Sequence, residues 1–536
     1  MLGLLGHAAA AAAAAVTDCA SLLGHTFSNG TASVVLATDM PAGANFSSDG
    51  FSTTDSPSLP GFCRVSLRIQ TSPETSATAE VWLPAPAAWN ARLLTVGNGG
   101  FAGSVNYADV TWGLRKGFAT TSTDTGHSSS GGDASWMLHH PERTIDWAHR
   151  ALHLAVVAAK QVVAAYYHPA PTQTGGQQPY SYYAGCSTGG RQGLAALQRY
   201  PADFDSVLAG SAIPWQTHTS AWQTYAALLQ YPSSRSSFIP ADLWESLIAP
   251  AVMEQCDAAL DGVADGVIMD PSRCEFRPEA LLYPQPRTPL PPLAHKLRST
   301  PQPGHLPGGE FSFATLMNSA EPLFGPEFYR NAVYNDTAWD WRTLSAADII
   351  LADTINPGGA NAYDPNLRPF ESRGGKVLHY HGYADPLIPS LNAAAFHDLV
   401  HGFYENTVGR AAGDGDAFYR LFMVPGMGHC SAGAGAWALD GAGQGGFPPT
   451  VNGSSHSLLH SLVDWVEGAA RTDISSATKT ASAPESIIGT KFVNDAPALG
   501  VSFTRPICRW PQTAVYDGVG DVNDAASWKC PAAGVY

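Results

Sequence analysis

The chain has 536 residues and carries 29 Lys+Arg against 45 Asp+Glu, a formal net charge of −16. The basic residues form no run, which excludes a nucleic-acid binder, and 45% hydrophobic residues with 14 Trp exclude a disordered chain. At about 150 residues per domain the length allows three or four domains, or one large α/β body with an insertion.

Met1 to Val16 is an Ala-rich apolar stretch that runs into Thr17-Asp18-Cys19. Residues 1–17 read as a signal-like segment, atypical because the basic start is missing. No later apolar stretch is long enough to predict a transmembrane helix. Short apolar runs predict strands at Arg92–Val96, Tyr180–Ala184, Ser206–Ala209, Val377–Tyr380 and Tyr419–Val424. Helical patterns cover Thr144–Tyr167 and Arg191–Tyr200, the second stopping before Pro201. Strands alternating with helices predict an α/β fold with a mostly parallel sheet flanked by helices. From Trp215 to Thr354 the texture changes to short helical pieces, a Pro-rich stretch and many aromatics. This predicts an inserted lid domain over 215–354, with 18–214 and 355–536 forming the catalytic domain.

Gly185-Cys-Ser-Thr-Gly189 fits G-x-S-x-G between a predicted strand and a predicted helix, the setting of a nucleophile elbow. Small residues on both sides of Ser187 allow the sharp turn that exposes its hydroxyl. A serine nucleophile needs an acid and a base, in chain order Ser, Asp, His for this fold. Asp385 lies just beyond the Val377–Tyr380 strand, and His429 lies in a Gly-containing loop after Tyr419–Val424. The first oxyanion donor is the amide of Thr188. The second is expected from Gly99 or Gly100, in Gly97-Asn-Gly-Gly-Phe101 after an early strand.

The eight cysteines include no CxxC, which removes zinc ribbons and thioredoxin-like sites. Their even number, with sequons at Asn29, Asn45, Asn335 and Asn452, points to a secreted glycoprotein. Cys186 precedes the nucleophile and Cys430 follows the base, so a disulfide between them is geometrically plausible if Ser187 and His429 are in reach.

The chain resembles the tannase and feruloyl esterase family of α/β hydrolases. The resemblance rests on Gly185-Cys-Ser-Thr-Gly-Gly190, His381-Gly-Tyr-Ala-Asp385 and Gly428-His-Cys430, with Gly97-Asn-Gly-Gly100, Asp124-Thr-Gly-His127 and the insertion in support. It implies an α/β-hydrolase fold, Ser187 as nucleophile, Asp385 as acid, His429 as base, and a Cys186–Cys430 bridge. It also implies the pairs Cys19–Cys63 and Cys508–Cys530, while Cys256–Cys274 would staple the acidic loop between them. That loop can supply calcium with oxygens from Asp257, Asp261 and Asp265 and from the carbonyls of Val263 and Val267. The first two Asp are four residues apart, where the family has three. His127 reads as a structural histidine.

The function expected is a secreted serine esterase acting on hydroxycinnamate (feruloyl) esters, including those borne on plant cell-wall polysaccharide. Lid aromatics such as Trp222, Tyr225 and Phe328 are expected to shape its pocket. A tannase acting on gallate esters is the alternative. A catalytically silent, calcium-dependent glycan-binding relative is the alternative from another class. Calcium is the only cofactor expected, and neither a membrane nor a nucleic acid is expected as partner.

Overall fold

The computed structural model describes residues 18–48, 54–167, 178–236, 238–281, 304–317, 322, 324–451, 453–468 and 483–531. The expected signal-like segment and Asn452 lie outside the described residues. One sheet of ten strands organises the molecule. In chain order they are β1 (Thr26–Phe27), β2 (Ala32–Met40), β3 (Phe62–Gln70), β4 (Ser76–Pro84), β5 (Arg92–Val96), β6 (Ala119–Thr123), β7 (Tyr180–Cys186), β8 (Ser206–Gly210), β9 (Lys376–Gly382) and β10 (Tyr419–Val424). Their spatial order is β1-β2-β3-β4-β6-β5-β7-β8-β9-β10. The strands expected from apolar runs are β5, β7, β8, β9 and β10, all inside the parallel half. The half from β1 to β6 is antiparallel. Its strands interleave polar and apolar residues, as suits a sheet edge with a wetter face, and so carry a weaker sequence signal.

The parallel strands are buried along nearly all of their length, with Val207, Leu208, Val377, Leu378, Tyr419 and Leu421 at or near zero exposure. One face of the sheet packs Trp82, Leu94, Trp112, Tyr380, Phe422 and Leu462 into a core. The other face packs Val156, Leu194, Phe204, Val377 and Phe396. Parallel register brings the carboxyl ends of β7, β8 and β9 to one edge, with Cys186 opposite Gly210 and Gly210 opposite Tyr380. Ligands bind beyond such an edge in open α/β sheets.

The helix expected at Thr144–Tyr167 is built in three parts: an α turn at Pro141–Ile145, a π turn at Asp146–Arg150 and an α-helix at Ala151–Tyr167. Pro141 starts it early because its missing N–H is no loss in the first turn. Between β8 and β9 the chain forms helices, among them Gln216–Gln230, Ala249–Asp261 and Ala346–Ile355. Among the described residues no helix is long and apolar enough to cross a membrane.

Candidate active site

β7 ends at Cys186 and a helix begins at Thr188, so Ser187 alone makes the turn. Its backbone sits at φ 63°, ψ −124°, a conformation disfavoured for a residue with a side chain and characteristic of a strained functional position. The turn is held by the Ser187 amide donating to the Gly210 carbonyl at 2.9 Å. It also requires Gly185, where a Cβ would meet the Gly189 backbone at 2.7 Å. The helix running Thr188–Arg199 directs its unpaired first amides, Thr188 among them, toward the serine.

Asp385 follows β9 and His429 follows β10, and the structure joins them: His429 Nδ1 donates to Asp385 Oδ2 at 2.8 Å. Asp385 Oδ1 accepts from the amides of Leu387 (2.9 Å) and Ile388 (3.0 Å). His381 Nε2 stands 3.1 Å from the same Oδ2 that serves His429. Burial by itself pushes this carboxyl upward. The neighbouring imidazoles and their hydrogen bonds overcome it and hold the pKa well below the usual carboxylate range. Asp385 therefore stays ionised at any pH above about 4. His381 was not singled out from the sequence, although it lies in the same short motif as the acid.

Ser187 and His429 line one cavity of about 470 Å³. Cys186 and Cys430 are bridged beside them with Cα atoms 6.0 Å apart. Cys19–Cys63, Cys256–Cys274 and Cys508–Cys530 are bridged as well, so all four expected pairs are present.

Gly99 and Gly100 line the same cavity. Their loop is fixed from behind. The Phe101 carbonyl accepts from His127 Nε2 (2.9 Å), Ser129 Oγ (2.7 Å) and Trp136 Nε1 (3.2 Å), and Trp147 Nε1 donates to the Gly100 carbonyl at 3.3 Å. Asn98 and Gln192 exchange two bonds of 3.0 and 3.2 Å, tying the loop to the helix that follows Ser187. Among the described residues neither the Gly99 nor the Gly100 amide is engaged by another group. Both are thus available to an oxyanion. His127, stacked on Trp136 at 3.6 Å, braces this loop and does not line the cavity.

The aromatics expected to shape the pocket require correction. Phe328 is fully buried behind the cavity wall, in a core with Phe101, and Trp222 donates to His305 Nε2 at 3.2 Å. Neither of them lines the cavity, and nor does Tyr225. The helix Gln216–Gln230 instead turns Gln216, Thr219 and Gln223 toward it, spaced three and four apart on one stripe. Phe101, Ile213, Phe324 and Ile388 supply apolar wall. A search for aromatics passes over this polar stripe, which only the helix phase reveals.

In the acidic loop, Asp257 Oδ1 and Asp261 Oδ2 are buried without a partner. Burial first, and then the neighbouring Asp265 carboxylate, raises both carboxyls, with Asp257 adding to the effect on Asp261, which reaches about 6. Orphaned, mutually repelling oxygens fit a cation. Asp265 is engaged otherwise, its Oδ1 accepting from the Val267 amide (3.1 Å) and its Oδ2 paired with Arg505 (2.5 Å). The side chains of Val263 and Val267 are buried in a small core with Cys508 and Trp528.

A serine on a strand–helix elbow, an Asp–His pair at the next strand ends and unengaged amides lining the same cavity are the arrangement that a serine hydrolase of the α/β type requires. The family model for tannase and feruloyl esterase matches residues 63–286 and 341–531, and the chain belongs to that family. It is a carboxylic ester hydrolase. A probable feruloyl esterase B-1 of Aspergillus flavus is 33% identical over 87% of this chain and 86% of its own length. Another of that name from Aspergillus fumigatus is 32% identical over 93% and 91%. The crystal structure of feruloyl esterase B from Aspergillus oryzae superposes with a TM-score of 0.81 at 31% identity, covering 94% of this chain and 97% of that one. A tannin acyl hydrolase from Aspergillus niger shares the fold, with a TM-score of 0.71 at 19% identity over 96% and 94%.

Proposed function

We propose that this enzyme is a secreted serine esterase that cleaves phenolic-acid esters, feruloyl and related hydroxycinnamates first, through an acyl-enzyme. The observation that carries the reading is the 2.8 Å bond from His429 to an ionised, buried Asp385, in a cavity shared with the elbow serine. Ser187 Oγ attacks the ester carbonyl while His429 Nε2 takes its proton. Asp385 holds the ring so that Nε2 faces the serine and stabilises the imidazolium that forms. The tetrahedral oxyanion is received by the Thr188 amide and that of Gly99 or Gly100. His429 then protonates the leaving alcohol, and a water deprotonated by the same imidazole releases the acid.

The curated relatives at 32–34% identity carry feruloyl esterase names, whereas the likeness to tannin acyl hydrolase extends to the fold alone. Apolar walls around about 470 Å³ suit an aromatic acid, and the Gln216–Thr219–Gln223 stripe offers bonds to its ring substituents. Methyl ferulate should be hydrolysed faster than methyl gallate, and Ser187→Ala should abolish both activities at unchanged melting temperature. A preference for gallate reverses the substrate assignment, and activity surviving in Ser187→Ala removes the nucleophile. The domain division expected from sequence, with a lid over 215–354, belongs to the same reading.

Calcium would be held by Asp257 and Asp261, with the Val263 and Val267 carbonyls and Asp265 completing the shell. Its role there is structural, neutralising the acidic loop away from the acyl chemistry. Chelation should lower the melting temperature while labelling of Ser187 by a fluorophosphonate persists in the folded protein. An unchanged melting temperature would discount the ion. Asn29, Asn45 and Asn335 are exposed and accessible to glycosylation in a secretory setting.

A further inference from the structure

A second group of ligating side chains lies outside the cavity. His397 and His401 are four residues apart on the helix Leu391–Phe403, hence on one face and one turn apart. Asp416 sits in the turn Asp414–Ala417 that leads into β10. One ligand atom from each lies within 4.8 Å of the other two, and among the described residues no other trio of His, Cys, Asp or Glu does so. His401 Nε2 is 3.9 Å from Asp416 Oδ1. None of the three lines the acyl cavity.

We propose that His397, His401 and Asp416 bind one divalent cation of the zinc class, with a fourth position left to water. Two details favour a cation over simple packing. The Nε2 atoms of both histidines are buried without a hydrogen-bond partner, a cost that native interiors rarely leave uncompensated. Each histidine is also prepared on its other side. His397 Nδ1 is 3.1 Å from Asp398 Oδ1, which also accepts from Trp510 Nε1 at 3.3 Å. With the proton on Nδ1, the Nε2 lone pair is free for metal, and a carboxylate behind a ligating histidine raises its basicity. The ring of His401 bonds to the Tyr419 backbone. Asp416 gives Oδ2 to Arg509 and keeps Oδ1 for the site.

In tetrahedral zinc sites, Zn–N of about 2.0–2.1 Å and Zn–O of about 2.0–2.2 Å put ligand atoms roughly 3.3–3.5 Å apart. The 3.9 Å separation needs only a small closure. Asp398, Asp416 and Glu485 against Arg420 and Arg509 leave the surroundings net acidic. The ion would clasp the helix that follows the Asp385 loop to the turn before β10, a structural role with no part in acyl transfer.

The test is titration of the full, metal-stripped chain with Zn²⁺ in excess calcium, by calorimetry and by metal analysis after gel filtration. Co²⁺ substitution would report four-coordination through its visible absorption. One Zn²⁺ per chain is expected. His401→Gln and Asp416→Asn, both half-buried positions that leave no large void, should each weaken binding by at least about tenfold. Circular dichroism and esterase activity of the metal-free variants should match the parent. Absence of saturable Zn²⁺ binding, or binding undiminished in both variants, overturns the site.

Discussion

Two buried carboxyl groups in this molecule are driven in opposite directions. Asp385 has imidazoles on one oxygen and amides on the other, so its charge is favoured despite burial. Among the described residues Glu310 is buried with backbone partners alone, the Gly308 amide at 2.7 Å foremost, and burial raises its pKa to about 7. Folding therefore disfavours ionised Glu310 while the unfolded chain ionises near its ordinary value. Its contribution to stability is complete below about pH 4 and is lost as pH rises through 7, a deficit of roughly 3 kcal/mol. Glu310→Gln keeps an oxygen for Gly308 and removes the charge. The variant should melt above the parent at pH 8, and the difference should vanish near pH 4. Calorimetry at the two pH values checks this, and a difference independent of pH would reassign the effect to packing.

At the scale of elements, the bridges divide by what they join. Cys186–Cys430 links the residue before Ser187 to the residue after His429, and Cys430, like Ser187, adopts positive φ, at 65°. A displacement of about 1 Å at such a site costs on the order of a hundredfold in rate. Replacing both Cys186 and Cys430 by Ala should lower kcat more than roughly tenfold in protein that is still folded. Replacing Cys508 and Cys530 should lower the melting temperature and leave kcat nearly intact. Activity and circular dichroism on the two double variants separate the cases, and equal kcat in the first would make that bridge structural only. The elements carrying Ser187, Asp385 and His429 were legible because each follows a short apolar run whose end the sequence marks. The Asn98–Gln192 exchange, the second imidazole at Asp385 and the polar stripe at Gln216, Thr219 and Gln223 were not. Each depends on the approach of segments distant in sequence, or on a helix phase that composition does not show.

Across the whole molecule, the parallel half of the sheet was legible and the antiparallel half was not. Buried parallel strands read as mainly apolar runs, whereas β2, β3 and β4 interleave Thr, Ser, Arg and Glu with their apolar residues. The long segment between β8 and β9 was legible as a change of texture. Its individual packing was not, which is why Phe328 and Trp222 were expected in the cavity and lie instead in contacts of their own.

Covalent connectivity gives the Cys186–Cys430 bridge a further consequence. It closes a ring containing all three chemical groups, and the other bridges are small loops that do not cross residues 275–507. A single peptide cut at exposed Arg342 would put Ser187 on one polypeptide and Asp385 with His429 on the other, joined by one sulfur–sulfur bond. Limited trypsin treatment that nicks this position should give one electrophoretic band without reductant and two with it. Hydrolysis should continue in the nicked protein and fail once thiol is added. The enzyme would then be a two-chain machine assembled from one gene product, with its working parts tethered at the point of catalysis. Two bands without reductant would show that the tether does not form.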